Sequence, residues 1–365
     1  MITIQETISL PQTYPLDRLG KPEDLLFFDI ETTGFSADSS QLYLIGCTYY
    51  REQEWHLIQW FADSPDSEIE LLHAFFKLLS EFKTVVHFNG DGFDIPYLQK
   101  RCAKFHLTYD FSKVSSIDIY KKFRPYKKLL GLANTKQKSV ETFLGVSRED
   151  MFGGGELIVV YYDYLRTKNE QALRLLLLHN ADDLKGMPSI LPALYYPDFL
   201  ESSFCLHTQK QQTEADGGHT LTVQLKSDFS IPIAFDAVSP YGQLQANANL
   251  LTLRIPLFSG TLKYFYSDYK NYYYLPAEDR AIHKSVGEFV DKSARKQATA
   301  QTCYLKTSGL FFKQPAPIFE PSFGRDRKTA SQYVKYCDTL FDNSKTCSQF
   351  AHCILEAAVS ANPLR

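Results

Sequence analysis

One strand near the start of the chain constrains the fold more than any other segment. The stretch LLFFDIETTG (Leu25–Gly34) is an apolar run that carries two acids, Asp29 and Glu31. Side chains two positions apart in a strand point to the same face, so both carboxylates share one side. A solvated edge strand is one explanation, but the neighbouring Phe28 and Ile30 are typical of a buried central strand. Two like charges in such a strand need a counter-charge, and a divalent cation is the usual one.

The order of the predicted elements indicates an α/β fold with a mixed sheet. Three strand-like runs joined by short polar turns come first, which predicts an antiparallel meander. A helix, a strand, a second helix and another strand follow, and further helices continue to about residue 200. A meander that leads into a strand–helix–strand crossover gives a mixed sheet flanked by helices, and we expect five strands in it.

The rest of the chain has a different pattern. Residues 201–218 are polar and include TQKQQTEADGG, which predicts a linker. Residues 219–365 contain alternating or β-rich runs at short intervals and end in helical patterns. We therefore expect an α/β domain over residues 1–200, a linker, and a smaller β-rich C-terminal domain with terminal helices, whose role the sequence does not indicate.

Composition places the chain among soluble globular proteins. The 365 residues are 44% hydrophobic and 22% charged with a net charge of −3, so overall charge gives no sign of a nucleic-acid partner. Seven scattered cysteines without a C-x-x-C pair indicate neither a disulfide framework nor a zinc knuckle. No apolar run is long enough to cross a bilayer, and the first residues lack the pattern of a signal peptide. We expect a cytoplasmic protein with no membrane partner.

Two further segments carry acids near the ends of predicted elements. In VVHFNGDGFDIPYL, Asp94 lies at the start of a helix, just past the carboxyl end of a strand, where α/β sheets bind ligands. A helix-terminal acid that interacts with the helix dipole is the alternative. In LLLLHNADDLKG, His179 and Asp183 are four residues apart on one helix face. A core histidine hydrogen-bonded to its neighbour is the alternative there.

Together the three segments resemble the DEDD 3′–5′ exonucleases of the ribonuclease-H-like superfamily. The order D-x-E, N-x-x-x-x-D and (Tyr or His)-x-x-x-D matches that family, and the pattern through KSVETFLG and HNADD resembles its YprB-type bacterial group over residues 22–195. The resemblance implies a ribonuclease-H-like fold and a metal-dependent nuclease. It also implies the metal ligands Asp29, Glu31, Asp94 and Asp183, with His179 as the general base. In this family a tyrosine has the four-residue spacing of His179, whereas a histidine lies five residues before the acid.

The chemistry of phosphodiester cleavage explains such a set of side chains. The reaction needs a nucleophilic water and a stabilised leaving oxygen, and two cations about 4 Å apart provide both. Four carboxylates offset the charge of the cations, and oxygen ligands favour the hard ions Mg²⁺ or Mn²⁺. Histidine is a common proton acceptor in steps of this kind.

A basic segment indicates where the substrate lies. Between Asp118 and Glu141 there are seven lysines and arginines and no acid, interleaved with Phe123 and Tyr126. This pattern predicts a track for a phosphate backbone, and a solvated lysine face is the alternative. The residues from which we expect substrate contacts are Thr32, Thr33, Gly34, Asn89, Lys127, Lys128 and Lys136.

The function that we predict is a divalent-metal-dependent nuclease that hydrolyses phosphodiester bonds of DNA or RNA, as a 3′–5′ exonuclease. Two other functions are compatible with the sequence. One is a nucleic-acid-binding protein with a weak or inactive nuclease fold, and the other is a structure-specific endonuclease. The presence of all four acids favours an active site.

Overall fold

The computed structural model describes residues 1–11, 13–149 and 153–360, and the chain divides into two compact units. The first unit contains residues 1–127 and 131–197, and the second contains residues 128–130 and the chain from residue 198 onward. In the described part of the chain, no helix combines the length and the apolar composition needed to span a bilayer.

A mixed sheet forms the centre of the first unit. Its strands are β1 (Ile2–Ile8), β2 (Leu25–Thr32), β3 (Leu42–Arg51), β4 (Glu54–Phe61), β5 (Thr84–His87) and β6 (Ser115–Asp118). Their order across the sheet is β1-β4-β3-β2-β5-β6. β2 pairs antiparallel with β3 and parallel with β5, so the predicted mixed sheet is confirmed. The strand of Asp29 and Glu31 is therefore an inner strand.

Among the described residues this sheet has six strands, one more than expected. The additional strand is β1, which pairs antiparallel with β4 at the edge of the sheet. Every residue of β1 is at least partly exposed, and Glu6 interrupts the apolar alternation of its sequence ITIQETI. An edge strand of this kind is held mainly by backbone hydrogen bonds to its partner, so the apolar pattern of its own sequence is weak.

Helices cover the sheet of the first unit. They are α1 (Glu68–Leu79), α2 (Asp94–Lys104), α3 (Ile119–Phe123), α4 (Gln137–Leu144), α5 (Gly154–Thr167) and α6 (Glu170–Ser189). The chain passes into the second unit within α7 (Tyr195–Leu200).

A buried ion pair fixes α2, the helix that begins at Asp94. Arg101 of α2 pairs with the carboxylate of Glu68 on α1, and its Nη1 donates a 2.6 Å hydrogen bond to the carbonyl oxygen of Ala37. The side chains of Arg101 and Glu68 are only 4% and 2% exposed. Because both charges are paired inside the protein, moving α2 is costly. The position of Asp94 in the first turn is therefore well defined.

A glycine lets α6 approach the sheet closely. Gly46 of β3 lies between Asp29 of β2 and Gln59 of β4 in the strand register. A Cβ atom at Gly46 would lie 2.0 Å from Asn180 Oδ1 and 2.5 Å from Leu184 Cδ1 of α6. Only a residue without a side chain permits this approach. The glycine therefore decides how near α6 lies to Asp29.

The second unit is β-rich and ends in a helix, in agreement with the sequence prediction. Its strands are β7 (Cys205–Thr213), β8 (His219–Lys226), β9 (Phe235–Ser239), β10 (Gly242–Asn247), β11 (Leu250–Phe265), β12 (Tyr272–Leu275), β13 (Arg280–His283), β14 (Lys296–Gln297), β15 (Tyr304–Lys313), β16 (Ser322–Phe323) and β17 (Tyr333–Lys335). Its helices are α8 (Lys284–Gly287) and α9 (Ser344–Ser360). The long strand β11 pairs with β8 and β10 through its first half and with β15 through its second half.

The segment predicted as a linker over residues 201–218 contains a strand. β7 pairs antiparallel with β8, and most of its residues are exposed. Because β7 is an edge strand with polar side chains on both faces, its composition is that of a loop. The linker prediction is wrong over Cys205–Thr213 for this reason.

Candidate active site

Four acids and one histidine meet where β2 ends. Asp94 Oδ1 accepts a 3.3 Å hydrogen bond from the backbone N–H of Ile30, which lies between Asp29 and Glu31. On α6, His179 Nε2 lies 3.6 Å from Glu31 Oε1 and 3.6 Å from Asp183 Oδ2. The structure therefore brings together all the residues that the three sequence segments single out.

The electrostatics of this group are unfavourable without a counter-charge. Burial raises the pKa of Asp29 well above its usual value, and the nearby charges of Glu31, Asp94 and Asp183 raise it further. Burial also raises the pKa of Asp94 to about 7, against the hydrogen bonds from backbone N–H groups. Carboxylates in such a setting favour either a proton or a bound cation.

The donor set fits a hard divalent cation. Ligand atoms of Glu31, His179 and Asp183 lie within 4.8 Å of one another. The raised pKa of Asp29 shows that Asp29 and Asp94 belong to the same field of negative charge. Carboxylate oxygens at this density are ligands that suit Mg²⁺ or Mn²⁺. The group therefore has the ligand atoms to bind a metal ion.

Asn180 connects the acids to the sheet. Its Nδ2 donates a 2.9 Å hydrogen bond to Asp29 Oδ2, and its Oδ1 accepts a 2.9 Å hydrogen bond from Gln59 Nε2. Asn180 is fully buried, so each of these bonds replaces one to water. No sequence pattern singled out this residue. The signal in the sequence was an amide side chain directly after His179, on the helix that carries Asp183.

A second set of missed residues holds Asp183. Arg148 Nη1 lies 2.7 Å from Asp183 Oδ1 and 2.9 Å from Glu141 Oε2. Gln137 Nε2 donates to the carbonyl oxygen of Asp183 at 2.8 Å and to Glu141 Oε1 at 2.9 Å. Burial raises the pKa of Glu141, and the hydrogen bonds from Gln137 and Arg148 oppose this effect. The segment KSVETFLG contains Glu141, but nothing in that segment indicates its partners or the link to α6.

The turn after β2 is closed by its own hydrogen bonds. Thr32 Oγ1 donates to the carbonyl oxygen of Gly34 at 2.9 Å. Thr33 exchanges two hydrogen bonds with Gln41, from its backbone N–H to the carbonyl oxygen and from the Gln41 N–H to Thr33 Oγ1, both at 2.9 Å. Through these hydrogen bonds, Thr32 and Thr33 stabilise the turn that follows Asp29 and Glu31. Their contact with substrate stays a prediction.

Three of the predicted substrate residues line one cavity. Asn89, Lys127 and Lys136 share a cavity of about 490 Å³, which we call the Tyr120 pocket. Phe88, Tyr120 and Gln137 also line it. Lys128 is grouped with the second unit and does not line this pocket.

A second group of titratable side chains lies under the turn at Asn89. Ligand atoms of His87, Asp91 and Asp118 are within 4.8 Å of one another. However, Lys121 Nζ pairs with Asp91 Oδ2 at 2.7 Å, and His87 Nδ1 accepts a 2.9 Å hydrogen bond from the Gly90 N–H. Burial lowers the pKa of His87, which favours the neutral ring. With its counter-charge already supplied by Lys121, this group stabilises the turn.

Comparison with known families supports this description of the fold. Residues 26–195 match the family model RNase_H_2, described as RNase_H superfamily. The mixed sheet and the helices that cover it agree with a ribonuclease-H-like fold over these residues. The match includes every acid of the candidate site and ends before β7. The YprB-type subgroup stays a prediction.

Two curated DNA polymerases are similar to short parts of the chain. The DNA polymerase of Thermococcus aggregans is 32% identical over 93 residues, which is 23% of this chain and 5% of that protein. The DNA polymerase of Thermococcus litoralis is 34% identical over 89 residues, which is 22% of this chain and 5% of that protein. The chain therefore spans only about a twentieth of the length of these relatives.

Two solved structures are similar to the chain at low identity. The family B DNA polymerase from Pyrobaculum calidifontis has a TM-score of 0.38 and 14% identity, over 68% of this chain and 35% of that chain. Exonuclease I has a TM-score of 0.33 and 11% identity, over 56% of this chain and 55% of that chain. Both TM-scores are below 0.5.

Proposed function

We propose that the ribonuclease-H-like domain is the catalytic part of a divalent-metal-dependent nuclease, a 3′–5′ exonuclease that hydrolyses phosphodiester bonds of DNA or RNA. The observation that carries the proposal is the group of four acids at the end of β2, in which burial and mutual repulsion raise the pKa of Asp29 and Asp94. A protein retains such an unfavourable group when it has a use for the charges. The superfamily match over residues 26–195 supports the same function.

The metal ligands in this proposal are Asp29, Glu31, Asp94 and Asp183, which would hold two Mg²⁺ or Mn²⁺ ions. When bound, two such ions lower the pKa of the attacking water and stabilise the charge on the leaving oxygen. The side chains of the protein then have to keep the four carboxylates in place. Asn180 holds Asp29 through a hydrogen bond, and Arg148 holds Asp183 through an ion pair.

The proposed proton acceptor is His179. Its Nε2 is directed at Glu31 and Asp183, 3.6 Å from an oxygen of each, so the nitrogen faces the space between two proposed ligands. A water in that space can give its proton to the nitrogen as it attacks the phosphorus atom. His179 is only 5% exposed, which excludes most bulk water from the ring.

The test is a cleavage assay with end-labelled substrates. Single- and double-stranded DNA and RNA carrying a 5′ label are incubated with Mg²⁺, Mn²⁺ or EDTA and the wild-type protein, Asp29→Asn or Asp183→Asn. The control is Glu170→Gln on the same helix as Asp183, whose side chain is 86% exposed. We expect a metal-dependent ladder of products shortened one nucleotide at a time with the wild type and the control only.

Other outcomes separate the alternatives. Discrete internal products indicate an endonuclease. Binding of the substrates without any metal-dependent cleavage indicates a nucleic-acid-binding protein. Cleavage that continues in both acid variants would show that the four acids are not the active site. For His179, the pH–rate profile of His179→Gln decides: an unchanged rate and profile exclude it as the general base.

A further inference from the structure

The Tyr120 pocket has two chemically different sides. The rings of Phe88 and Tyr120 form one side, with centroids 5.7 Å apart, and Lys127 and Lys136 bring positive charge to the same cavity. None of the described residues that line the pocket is an acid. An aromatic surface beside cationic groups suits a planar ligand with negative charge. The volume of about 490 Å³ lies in the usual range of small-molecule sites.

Buried groups hold one rim of the pocket in place. Asn89 has a φ of 66°, in the left-handed region, and its backbone N–H donates a 3.0 Å hydrogen bond to Asp118 Oδ1. Asp118 is 4% exposed. Next to it, His87 Nδ1 accepts the N–H of Gly90 at 2.9 Å. The turn that presents Phe88 and Asn89 is therefore fixed before any ligand binds.

Gln137 connects the pocket to the acids. Its Nε2 donates to the carbonyl oxygen of Asp183 at 2.8 Å and to Glu141 Oε1 at 2.9 Å, which uses both hydrogens of the amide nitrogen. The amide oxygen is then the polar group that Gln137 can offer to a ligand. A molecule in the pocket is consequently separated from Asp183 by the side chain of Gln137.

We propose that the Tyr120 pocket binds one unpaired nucleotide of the substrate strand, with its base against Phe88 and Tyr120 and its phosphate against Lys127 and Lys136. This inference rests on the proposed function, because it places the nucleotide beside Asp183. A base inside a duplex is paired and stacked, so a pocket of this kind selects a strand whose nucleotide is free to leave the stack.

The test measures binding of a mononucleotide without metal. Calorimetric titrations in EDTA use AMP and dAMP, with adenosine and inorganic phosphate as separate arms. We expect saturable binding of a nucleotide by the wild type, tighter than binding of adenosine or of phosphate alone. Tyr120→Ala and the double variant Lys127→Ala/Lys136→Ala should each weaken it by about fivefold or more, the lower limit for loss of one stacking contact. The control Lys77→Ala, on α1 and exposed, should bind as the wild type does.

Each contrary result has a clear meaning. Absence of saturable nucleotide binding, equal binding by all variants, or binding of phosphate as tight as that of AMP would overturn the proposal. Tyr120→Phe, which keeps the ring, should bind AMP as the wild type does. If Tyr120→Ala does not fold, the double variant Lys127→Ala/Lys136→Ala tests the proposal in its place. Because the titration needs neither metal nor cleavage, it is independent of the nuclease assay. Normal nucleotide binding without any cleavage would remove the nuclease proposal and leave the pocket in place.

Discussion

Asn180 donates a hydrogen bond of 2.9 Å to Asp29, although the two residues are 151 positions apart in the sequence. The bond exists because Gly46, the strand neighbour of Asp29, has no side chain where the amide of Asn180 lies. A glycine on one strand thus determines how a helix presents the polar partner of an acid on the next strand.

The first prediction concerns this glycine. In Gly46→Ala, the new Cβ lies 2.0 Å from Asn180 Oδ1, so α6 has to move away from the sheet. We expect a loss of about 1–3 kcal/mol in the free energy of unfolding, as for other overpacked cores. Metal-dependent cleavage should fall further than the folded fraction does, because His179 and Asp183 move with α6.

Gly155→Ala is the matched control, since a Cβ there meets nothing within 4 Å and the residue lies in α5. It should be neutral or stabilising by about 0.5–1 kcal/mol. Chemical denaturation and the cleavage assay measure both effects. Equal activity per folded molecule in Gly46→Ala and wild type would contradict the link between this glycine and the site.

The second prediction is that one substitution at Asp29 raises the stability of the protein and lowers its activity. Asp29→Asn keeps an oxygen that can accept the hydrogen bond from Asn180. It removes a carboxyl group whose pKa is raised by burial and by three neighbouring acids. In EDTA we expect the variant to be more stable than the wild type by about 1 kcal/mol or more, a rise in Tm of about 2–4 °C. Cleavage should fall by about 100-fold or more, since a metal ligand is lost. Thermal unfolding with and without Mg²⁺ is the measurement, and a lower Tm in EDTA would contradict the electrostatic explanation.

The third prediction is a pH dependence. The pKa of Asp94 is raised from 3.8 to about 7 in the folded protein, so between these values the folded state holds a proton that the unfolded chain has released. In EDTA the free energy of unfolding should therefore decrease as the pH rises through this window. Affinity for Mn²⁺ should increase over the same window, by up to about tenfold per pH unit below 7, because binding displaces the proton.

Titrations of Mn²⁺ at pH 6, 7 and 8 test the dependence. In Asp94→Asn, the free energy of unfolding in EDTA should decrease less steeply with pH, because this carboxyl no longer contributes. An affinity for Mn²⁺ that does not change with pH in the wild type would contradict the prediction.

The fourth prediction concerns the ion pair that holds Asp183. Arg148→Met leaves the charge of Glu141, whose side chain is 1% exposed, without its partner, and should cost about 3–5 kcal/mol. The double variant Glu141→Leu/Arg148→Met should recover most of this stability, because it removes the buried charge of Glu141 together with its partner. It should not recover cleavage, since Asp183 still lacks the contact to Arg148.

An exposed ion pair provides the comparison for these Glu141 and Arg148 variants. Arg166 and Asp163 lie 2.7 Å apart on α5 with side chains 78% and 45% exposed. Arg166→Ala should change the free energy of unfolding by less than about 0.5 kcal/mol. A double variant no more stable than Arg148→Met alone would show that the buried pair is not coupled as we describe.

The sequence predicted the fold of the first unit where side-chain periodicity carried the signal. Asp29 and Glu31 share a face because strands alternate. His179 and Asp183 share a face because positions four apart are neighbours on a helix of about 3.6 residues per turn. Neither β1 nor β7 was predicted, since both are edge strands whose polar side chains resemble a loop. Their position depends on hydrogen bonds to a partner strand, which no local pattern encodes.

The partners of the acids were beyond local patterns for a related reason. Arg148 follows α4, and its contact with Asp183 on α6 spans 35 positions that include a separate helix. Its importance depends on the burial of Glu141, which only the packed structure reveals. The same holds for Asn180, because its contact with Asp29 depends on the space above Gly46.

The long strand β11 has a consequence for work on the second unit. Leu250–Leu257 pairs with β8, and Phe258–Phe265 pairs with β15, so one continuous backbone belongs to two groups of strands. The two groups should consequently lose their amide-exchange protection together, as a single cooperative block. Truncations that end inside β11 would expose unpaired backbone on both sides of the cut. Deletion experiments on this unit are therefore best designed to remove it whole.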